Sequence, residues 1–541
     1  MERKTFSQLP LGVSDFHKLR ELGKIYVDKT GLLYDLITTF EKVFLARPRR
    51  FGKSLLVSTF ESLFKYGTRD FKGLAIEKLW KDKTYKVIRL DFSNLKDFST
   101  EEEFSFLLDE YFAILMAQNE ITVSKEKSFG GFSSFMYWLG LQPSNSVVVL
   151  IDEYDAPLTV CMNNPGLFDF VRKKLSRLYA SFKNYEGVIR FLFLTGITKF
   201  NKTSIFSELN TLTDISLSPR YGSLLGYTHE EVEEYFKNYL DRSAKALGIG
   251  SEQLLDRLVS QYDGFCFEET VREKVFAPWS LLSFFAEPER GFKNYWFESG
   301  GRPYALLEYL KSHALRHPEE YGNLKSIALS ELTSSSDIKN LSDVALLTQA
   351  GYLTLKNIVG TTAYVSYPNE EVKTSMAQLY TERLLAGRTV EQVGADNISY
   401  RLATENVEAI FHLLNKLFSS IDYQKYPVRD EASVRAFAQV FFSGAGLNPI
   451  VEHHNSKGRS DLEVKVGARY WVFEFKVCNS ENDGKELLTE AILQLQRKEY
   501  GLQELQEQIL RVALIFSLEK RKFIEFAEVS GSTHDINKKS E

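Results

Sequence analysis

Four short apolar runs in the first 220 residues constrain this chain most: Val43-Phe-Leu-Ala46, Val87-Ile-Arg-Leu90, Val147-Val-Val-Leu-Ile151 and Phe191-Leu-Phe-Leu194. Each stops on polar or small residues, at Arg47, Asp91, Asp152-Glu153 and Thr195-Gly196. Strands that are apolar almost throughout have to be covered on both faces. Helical stretches separate them, so a parallel sheet between two helical layers is the expected fold. In such sheets ligands sit beyond the carboxyl ends of the strands. The polar strand endings are therefore the first candidate site.

Directly after the first run stands Arg47-Pro-Arg-Arg-Phe-Gly-Lys53-Ser54, followed by the helical Leu55-Leu-Val-Ser-Thr-Phe60. A phosphate loop of the form G-x-x-x-x-G-K-[ST] works by aiming backbone N–H groups and a helix N-terminus at phosphate oxygens. Gly52, Lys53 and Ser54 fit that form, and Arg47 occupies the first glycine position. Lys53 then contacts the outer phosphates of ATP and Ser54 ligates Mg²⁺. Arg47, Arg49 and Arg50 add positive charge there. At the third strand end, Asp152 suits the Mg²⁺ shell and Glu153 suits orientation of the attacking water. Thr195, within Thr195-Gly-Ile-Thr198, is either a γ-phosphate sensor or a helix cap.

A chain of 541 residues exceeds one ordinary core, so two to four domains are expected. Residues 1–220 read as the phosphate-loop domain. Residues 221–375 read as a helical, winged or lid-like module, with a capping box at Thr228-His-Glu-Glu231 and a helix ending at Gly351. Residues 376–529 return to α/β, beginning with a helical run over 376–418, and 530–541 are polar and expected to be disordered. The net charge of −5 excludes a global basic field, so a polyanion site has to be local. Cys161, Cys266 and Cys478 are too dispersed for a metal spacing and fit a reducing compartment. With no signal-peptide pattern and no long apolar run, a cytoplasmic protein without a membrane segment is expected.

In the last segment, Gly458-Arg459-Ser460-Asp461 leads into one strand, a turn at Gly467 and a second strand carrying Phe473-Glu474-Phe475-Lys476. Glu474 and Lys476 leave one face of that strand, and the two phenylalanines pack on the other. Asp461 and Glu474, with the Phe475 carbonyl, form an oxygen-only set suited to Mg²⁺, with Mn²⁺ also accommodated. Lys476 can orient or deprotonate water, or offset phosphorane-like charge. This is chemistry for metal-assisted phosphodiester cleavage. Glu431 shares a helical face with Val434, Ala438 and Phe441. It is either an inward metal-site acid or a surface acid favouring the helix dipole. Arg459 is a phosphate contact or a turn cap. His453-His454 read as ordinary residues and Lys520-Arg-Lys522 as a solvated turn.

Tyr26-Val-Asp-Lys-Thr30, Ala46 to Ser54, Leu90-Asp-Phe-Ser93, Ile151-Asp-Glu-Tyr-Asp-Ala-Pro157, Thr195 to Thr198 and Tyr262-Asp-Gly264 occur in an order that resembles the bacterial AAA-ATPase-like family fused to PD-(D/E)XK nuclease domains. The arginine at the first glycine position belongs to that family's own pattern. The resemblance implies ATP near Tyr26–Thr30. It implies nuclease roles for Asp461, Glu474 and Lys476, with Glu431 as the first-helix acid and Gln494 as the position on the helix after the motif strand. The implied partners are ATP, nucleic acid with DNA foremost, and further copies of the chain. An ATP-binding, metal-dependent nuclease is one reading. A nucleotide-dependent switch whose nuclease-like domain mainly binds nucleic acid or a partner is the other.

Overall fold

A computed structural model describes residues 7–123, 130–197, 211–299, 306–307, 309–310, 313, 315–333, 342–455, 458–480, 483–498 and 508–529. The chain divides into two compact units, residues 1–313 with 321–372 and residues 314–320 with 373–541. Among the described residues no helix is long and apolar enough to cross a membrane.

The first unit is built on the expected strands, β1 (Lys42–Ala46), β2 (Lys86–Asp91), β3 (Val147–Asp152) and β4 (Ile189–Gly196), with a short β5 (Thr213–Asp214). They pair in the order β2-β3-β4-β1-β5, and every pairing is parallel. β5 has two residues, too few to show an apolar pattern. The helix Lys53–Tyr66 follows the phosphate loop and packs Phe60 on Phe191 and Phe193 at 5.4 and 4.9 Å. β4 lies between β1 and β3, so the ends of all three strands converge beside the loop.

The rest of this unit is mainly helical. Thr228 and Glu231 form the expected capping box. The helix Asp343–Ala350 ends at Gly351, whose φ of 87° is left-handed. A small antiparallel sheet follows in the order β6 (Lys325–Ala328), β8 (Thr362–Ser366), β7 (Thr354–Val359). A Cβ on Gly351 would lie 2.8 Å from the Pro48 side chain, so this turn presses directly on the phosphate loop.

In the second unit the single helical run expected over 376–418 is three helices: Glu370–Leu384, Ile398–Thr404 and Val407–Ser419. Between the first two, Gly387, Gly394 and Asn397 take φ of 85°, 71° and 55°, which a continuing helix excludes. The mixed sheet runs β15 (Lys522–Glu528), β14 (Gln508–Ser517), β13 (Arg469–Cys478), β12 (Leu462–Val466), β9 (Ile450–Val451). β13 and β14 are parallel and the other neighbours antiparallel. β12 and β13 form the expected hairpin, with Gly467 at φ 61° in the turn. Trp471, Phe473 and Phe475 stack along one face of β13 at 5.7 and 6.1 Å and are fully buried. On the other face Tyr470 and Val472 pack under Ala491 and Leu495 of the helix Gly484–Lys498. This alternation leaves Glu474 and Lys476 on that second face. β14 and β15 close the sheet, and Lys520–Lys522 lies at the turn between them.

Candidate active sites

Gly52, at φ 94°, turns the chain from the loop into the helix, a conformation that costs glycine nothing. Lys53 is buried, and its ammonium donates to the carbonyls of Arg47 and Pro48 at 3.0 and 2.9 Å. Burial pulls its pKa down to about 8, against the opposing pull of Asp152, Asp155 and Glu153. Ser54 hydrogen-bonds the Asp152 side chain, so the loop and the end of β3 meet as expected. Burial raises the Asp152 pKa, while Ser54 and Lys53 hold it back. A small cavity of about 80 Å³ beside Gly52 is lined by Tyr26, Val27, Lys29, Leu55 and Leu225 among others.

The arginines of the loop do not act as one group. Arg47 is buried and donates to the carbonyls of Ala46, Ser216 and Tyr221 at 2.9, 2.7 and 3.2 Å. Its guanidinium lies over Phe267 at 4.5 Å, and burial lowers its pKa to about 9. Arg47 therefore staples the loop to the protein and does not extend toward a phosphate. Arg50 is exposed, donates to the Ser299 carbonyl at 3.0 Å and stacks on Trp279 at 4.4 Å. Arg49 is half-buried, close enough to Lys53 to lower its pKa, and makes no hydrogen bond or ion pair among the described residues. Phe51 is buried edge-on to Phe265, Phe267 and Trp296 at 4.9, 5.0 and 6.1 Å. Sequence reading passed over Phe51, and its only signal was an aromatic residue inside a polar loop.

Glu153 takes a left-handed φ of 50° and its carboxylate pairs with Lys96 at 3.1 Å. The Thr195 hydroxyl donates to the Leu45 carbonyl at 2.8 Å and is fully buried. It therefore ties β4 to β1 and is neither aimed at the loop nor capping a helix. Thr198 lies outside the described residues. Asp155, which sequence reading did not single out, is buried and accepts from the Ile197 N–H at 3.1 Å. A Cβ on Gly196 would come within 2.5 Å of Asp155 and 2.6 Å of the Tyr154 ring. Gly196→Ala should therefore cost about 1–3 kcal/mol through overpacking. The check is a lowered midpoint of thermal unfolding, and an unchanged midpoint would remove this account of the strand end.

In the second unit the Asp461 carboxylate accepts from the Phe475 N–H at 2.8 Å, which fixes it against the strand carrying Glu474. Glu474 is buried, and its carboxylate lies 3.8 Å from the Lys476 ammonium. Glu431 stands in the first turn of the helix Glu431–Gly444 and lies 3.6 Å from that same ammonium. It is a half-exposed acid at the helix N-terminus whose carboxylate lies beside Lys476. Burial pulls the Lys476 pKa down, but Glu431, Glu474, Asp461 and Glu490 outweigh it and leave it above the ordinary lysine value. Burial and Asp461 raise the Glu431 pKa, and Lys476 opposes them.

Two contributors were missed in the sequence. Arg435 pairs with Asp461 at 3.3 Å and with Glu452 at 2.8 Å. It stands one helical turn after Glu431, the spacing that puts both on one face. Glu490 acts on Lys476 and Glu431 and stands one turn before Gln494. Gln494 itself is half-buried and makes no hydrogen bond or ion pair among the described residues. Arg459 pairs with Glu452 at 3.0 Å. Among the described residues no three His, Cys, Asp or Glu side chains form a ready-made metal cage. The oxygen donors do fit Mg²⁺, which binds through one or two carboxylates and keeps several waters. Four carboxylates (Asp461, Glu474, Glu431, Glu490) face two cations (Lys476, Arg435), an excess that favours a further cation.

Comparison with known proteins agrees with this geometry. Residues 10–206 match the AAA-ATPase-like family, described as a predicted AAA-ATPase. Residues 429–526 match a family of the PD-(D/E)XK nuclease superfamily. The chain is 31% identical over 516 residues to an uncharacterized protein in the vnfD 5′ region of Azotobacter chroococcum mcd 1, covering 93% of this chain and 94% of that one. The phosphate loop with its strand-end acids and the Asp461–Glu474–Lys476 hairpin thus place the chain in the AAA-ATPase-like family that carries a C-terminal PD-(D/E)XK nuclease superfamily domain.

Proposed function

We propose that the protein is an ATP-binding, divalent-metal-dependent nuclease of nucleic acid, DNA in the first instance, in which the ATPase part licenses the nuclease. The observation that carries this reading is the Lys476 ammonium held 3.6 Å from Glu431 and 3.8 Å from Glu474, beside an Asp461 locked to the Phe475 N–H. A lysine inside a carboxylate cluster stays charged and has its reach fixed.

Asp461, Glu474 and the Phe475 carbonyl would hold Mg²⁺ or Mn²⁺, with Glu431 close by. When bound, the metal activates water and offsets charge on the phosphate. Asp461 is oriented by the Phe475 N–H and by Arg435. Lys476 stabilises charge developing on the phosphate and orients the attacking water. In the first unit Lys53, Ser54 and Asp152 would hold the phosphates and Mg²⁺ of ATP, with Arg49 beside Lys53 as a further phosphate contact. Incubation with single- and double-stranded DNA and RNA, with Mg²⁺ or Mn²⁺ and with or without ATP, tests the reading. Cleavage that requires the metal supports it. No cleavage of any substrate under any of these conditions counts against it.

Lys53 adds a pH signature. Its ammonium form is the one that binds phosphate, and its pKa is about 8. Nucleotide affinity should therefore weaken as pH rises through 8, by up to about tenfold per unit. Titration of a fluorescent ATP analogue between neutral and alkaline pH checks this, and a flat profile would count against phosphate contact by Lys53.

A second reading, the nucleotide-dependent switch, draws support from the Lys96–Glu153 pair at 3.1 Å, which occupies the carboxylate that would orient water. Tight nucleotide binding with negligible turnover and a change in oligomeric state would favour it.

A further inference from the structure

We propose that His453 forms a phosphate subsite beside the Asp461–Glu474 site, hydrogen-bonding the nucleic-acid phosphate next to the one that is cut. This rests on the nuclease reading above. It begins from a buried carboxylate that the reading does not use. Glu463, on β12, is 2% exposed. It follows Asp461 by two residues, which puts both side chains on one face of the sheet. Burying a carboxylate is costly unless it is bonded, and Glu463 is bonded three times. It accepts from the Ser460 hydroxyl at 2.7 Å, from the Tyr470 hydroxyl, and from Nδ1 of His453 at 2.9 Å.

The last of these bonds points to a ligand. An ionised carboxylate only accepts, so Nδ1 of His453 carries the proton. That bond fixes the ring and leaves Nε2 directed away from Glu463. Nε2 makes no hydrogen bond or ion pair among the described residues, and the side chain is 46% exposed. With both ring nitrogens protonated, Nε2–H is a charge-assisted donor to phosphate.

The backbone places this ring next to Asp461. The Glu452 N–H donates to the Asp461 carbonyl at 3.1 Å, and the Ser460 N–H donates to the His453 carbonyl at 3.1 Å. These bonds hold 452–453 alongside 460–461. Glu463 lies two residues from Asp461, about 6.6 Å along a strand. The ring anchored there is within reach of a neighbouring phosphate of a strand whose scissile phosphate lies at Asp461 and Glu474.

The test uses the full chain and fluorescein-labelled DNA and RNA oligonucleotides. Affinity is measured in Ca²⁺ across a salt series, and steady-state cleavage in Mg²⁺. His453→Ala removes an exposed ring and leaves Glu463 bonded to Ser460 and Tyr470, so the fold should persist; the thermal midpoint is recorded alongside. Expected are a Kd and KM raised about tenfold, kcat within about threefold of the parent, and a salt slope shallower by about 0.7–0.9, the loss of one phosphate contact. His453→Lys should restore the slope, and His453→Gln should not. Unchanged affinity and slope in His453→Ala, with cleavage by the parent intact, would overturn the subsite and leave the nuclease reading standing. A fall in kcat at unchanged Kd would also overturn it. A parent protein that neither binds nor cleaves any of the oligonucleotides would overturn the nuclease reading, and the subsite with it.

Discussion

Lys476→Ala is expected to abolish cleavage, with a fall of about 10²–10³-fold from the loss of one transition-state donor, while ATP affinity stays at the parent value. The ammonium stands 3.6 Å from Glu431 and 3.8 Å from Glu474, and its pKa is held above the ordinary lysine range. It is therefore present as a cation at every physiological pH. Removing it leaves Glu431, Glu474, Asp461 and Glu490 with Arg435 as the remaining counter-charge among the described residues, so divalent-metal affinity should hold or rise. That second readout separates lost chemistry from lost structure. Calorimetric titration with Mn²⁺ measures the metal, and a nucleic-acid cleavage assay measures the rate. Cleavage retained within tenfold would remove Lys476 from the chemistry, and loss of metal binding together with cleavage would point to a collapsed site.

The second large effect is expected at Lys53. Lys53→Ala removes a charge-assisted donor to phosphate, a bond worth about 1.5–3 kcal/mol. ATP should bind about 10–100-fold more weakly, and metal-dependent cleavage without ATP should be unaffected. The variant also leaves the Arg47 and Pro48 carbonyls without the donor they have at 3.0 and 2.9 Å. A companion variant controls for that. Ser54→Ala leaves both carbonyls satisfied and removes the hydroxyl bonded to Asp152. It should weaken Mg²⁺–ATP more than ATP alone. Parent-like ATP affinity in both variants would take the phosphate site away from this loop.

The two sites differ in how fully the sequence announced them. Asp461, Glu474 and Lys476 sit on one hairpin within 16 residues, so alternation along a strand was enough to place them together. Arg435 was legible in retrospect, one turn from Glu431 on the same face. Glu490 was hidden, because nothing local says which turn of the helix Gly484–Lys498 crosses the strand at Lys476. The arginines of the phosphate loop show the opposite failure. Three arginines in four positions read as one positive patch, but two of them are used by the protein itself. Arg47 is taken by carbonyls 169 and 174 residues away, and Arg50 by a carbonyl 249 residues away. Contacts of that sequence separation leave no periodic trace.

What the sequence determined by itself is local. The apolar runs set the strands, and their endings set which residues stand at the edge of the sheet. Gly52 and Gly467 set the two turns at which the sites begin, because each needs a left-handed backbone that glycine adopts freely. Only the tertiary structure decided what those endings meet. β4 inserts between β1 and β3, and so spends the Thr195 hydroxyl on β1 while Asp152 meets Ser54. Aromatic residues far along the chain clamp Phe51. A buried Glu463 turns His453 from an ordinary loop residue into an oriented one. The physical reason is the same in each case. Burial leaves a polar group no water to bond, so its partner has to come from whatever part of the chain packing brings near.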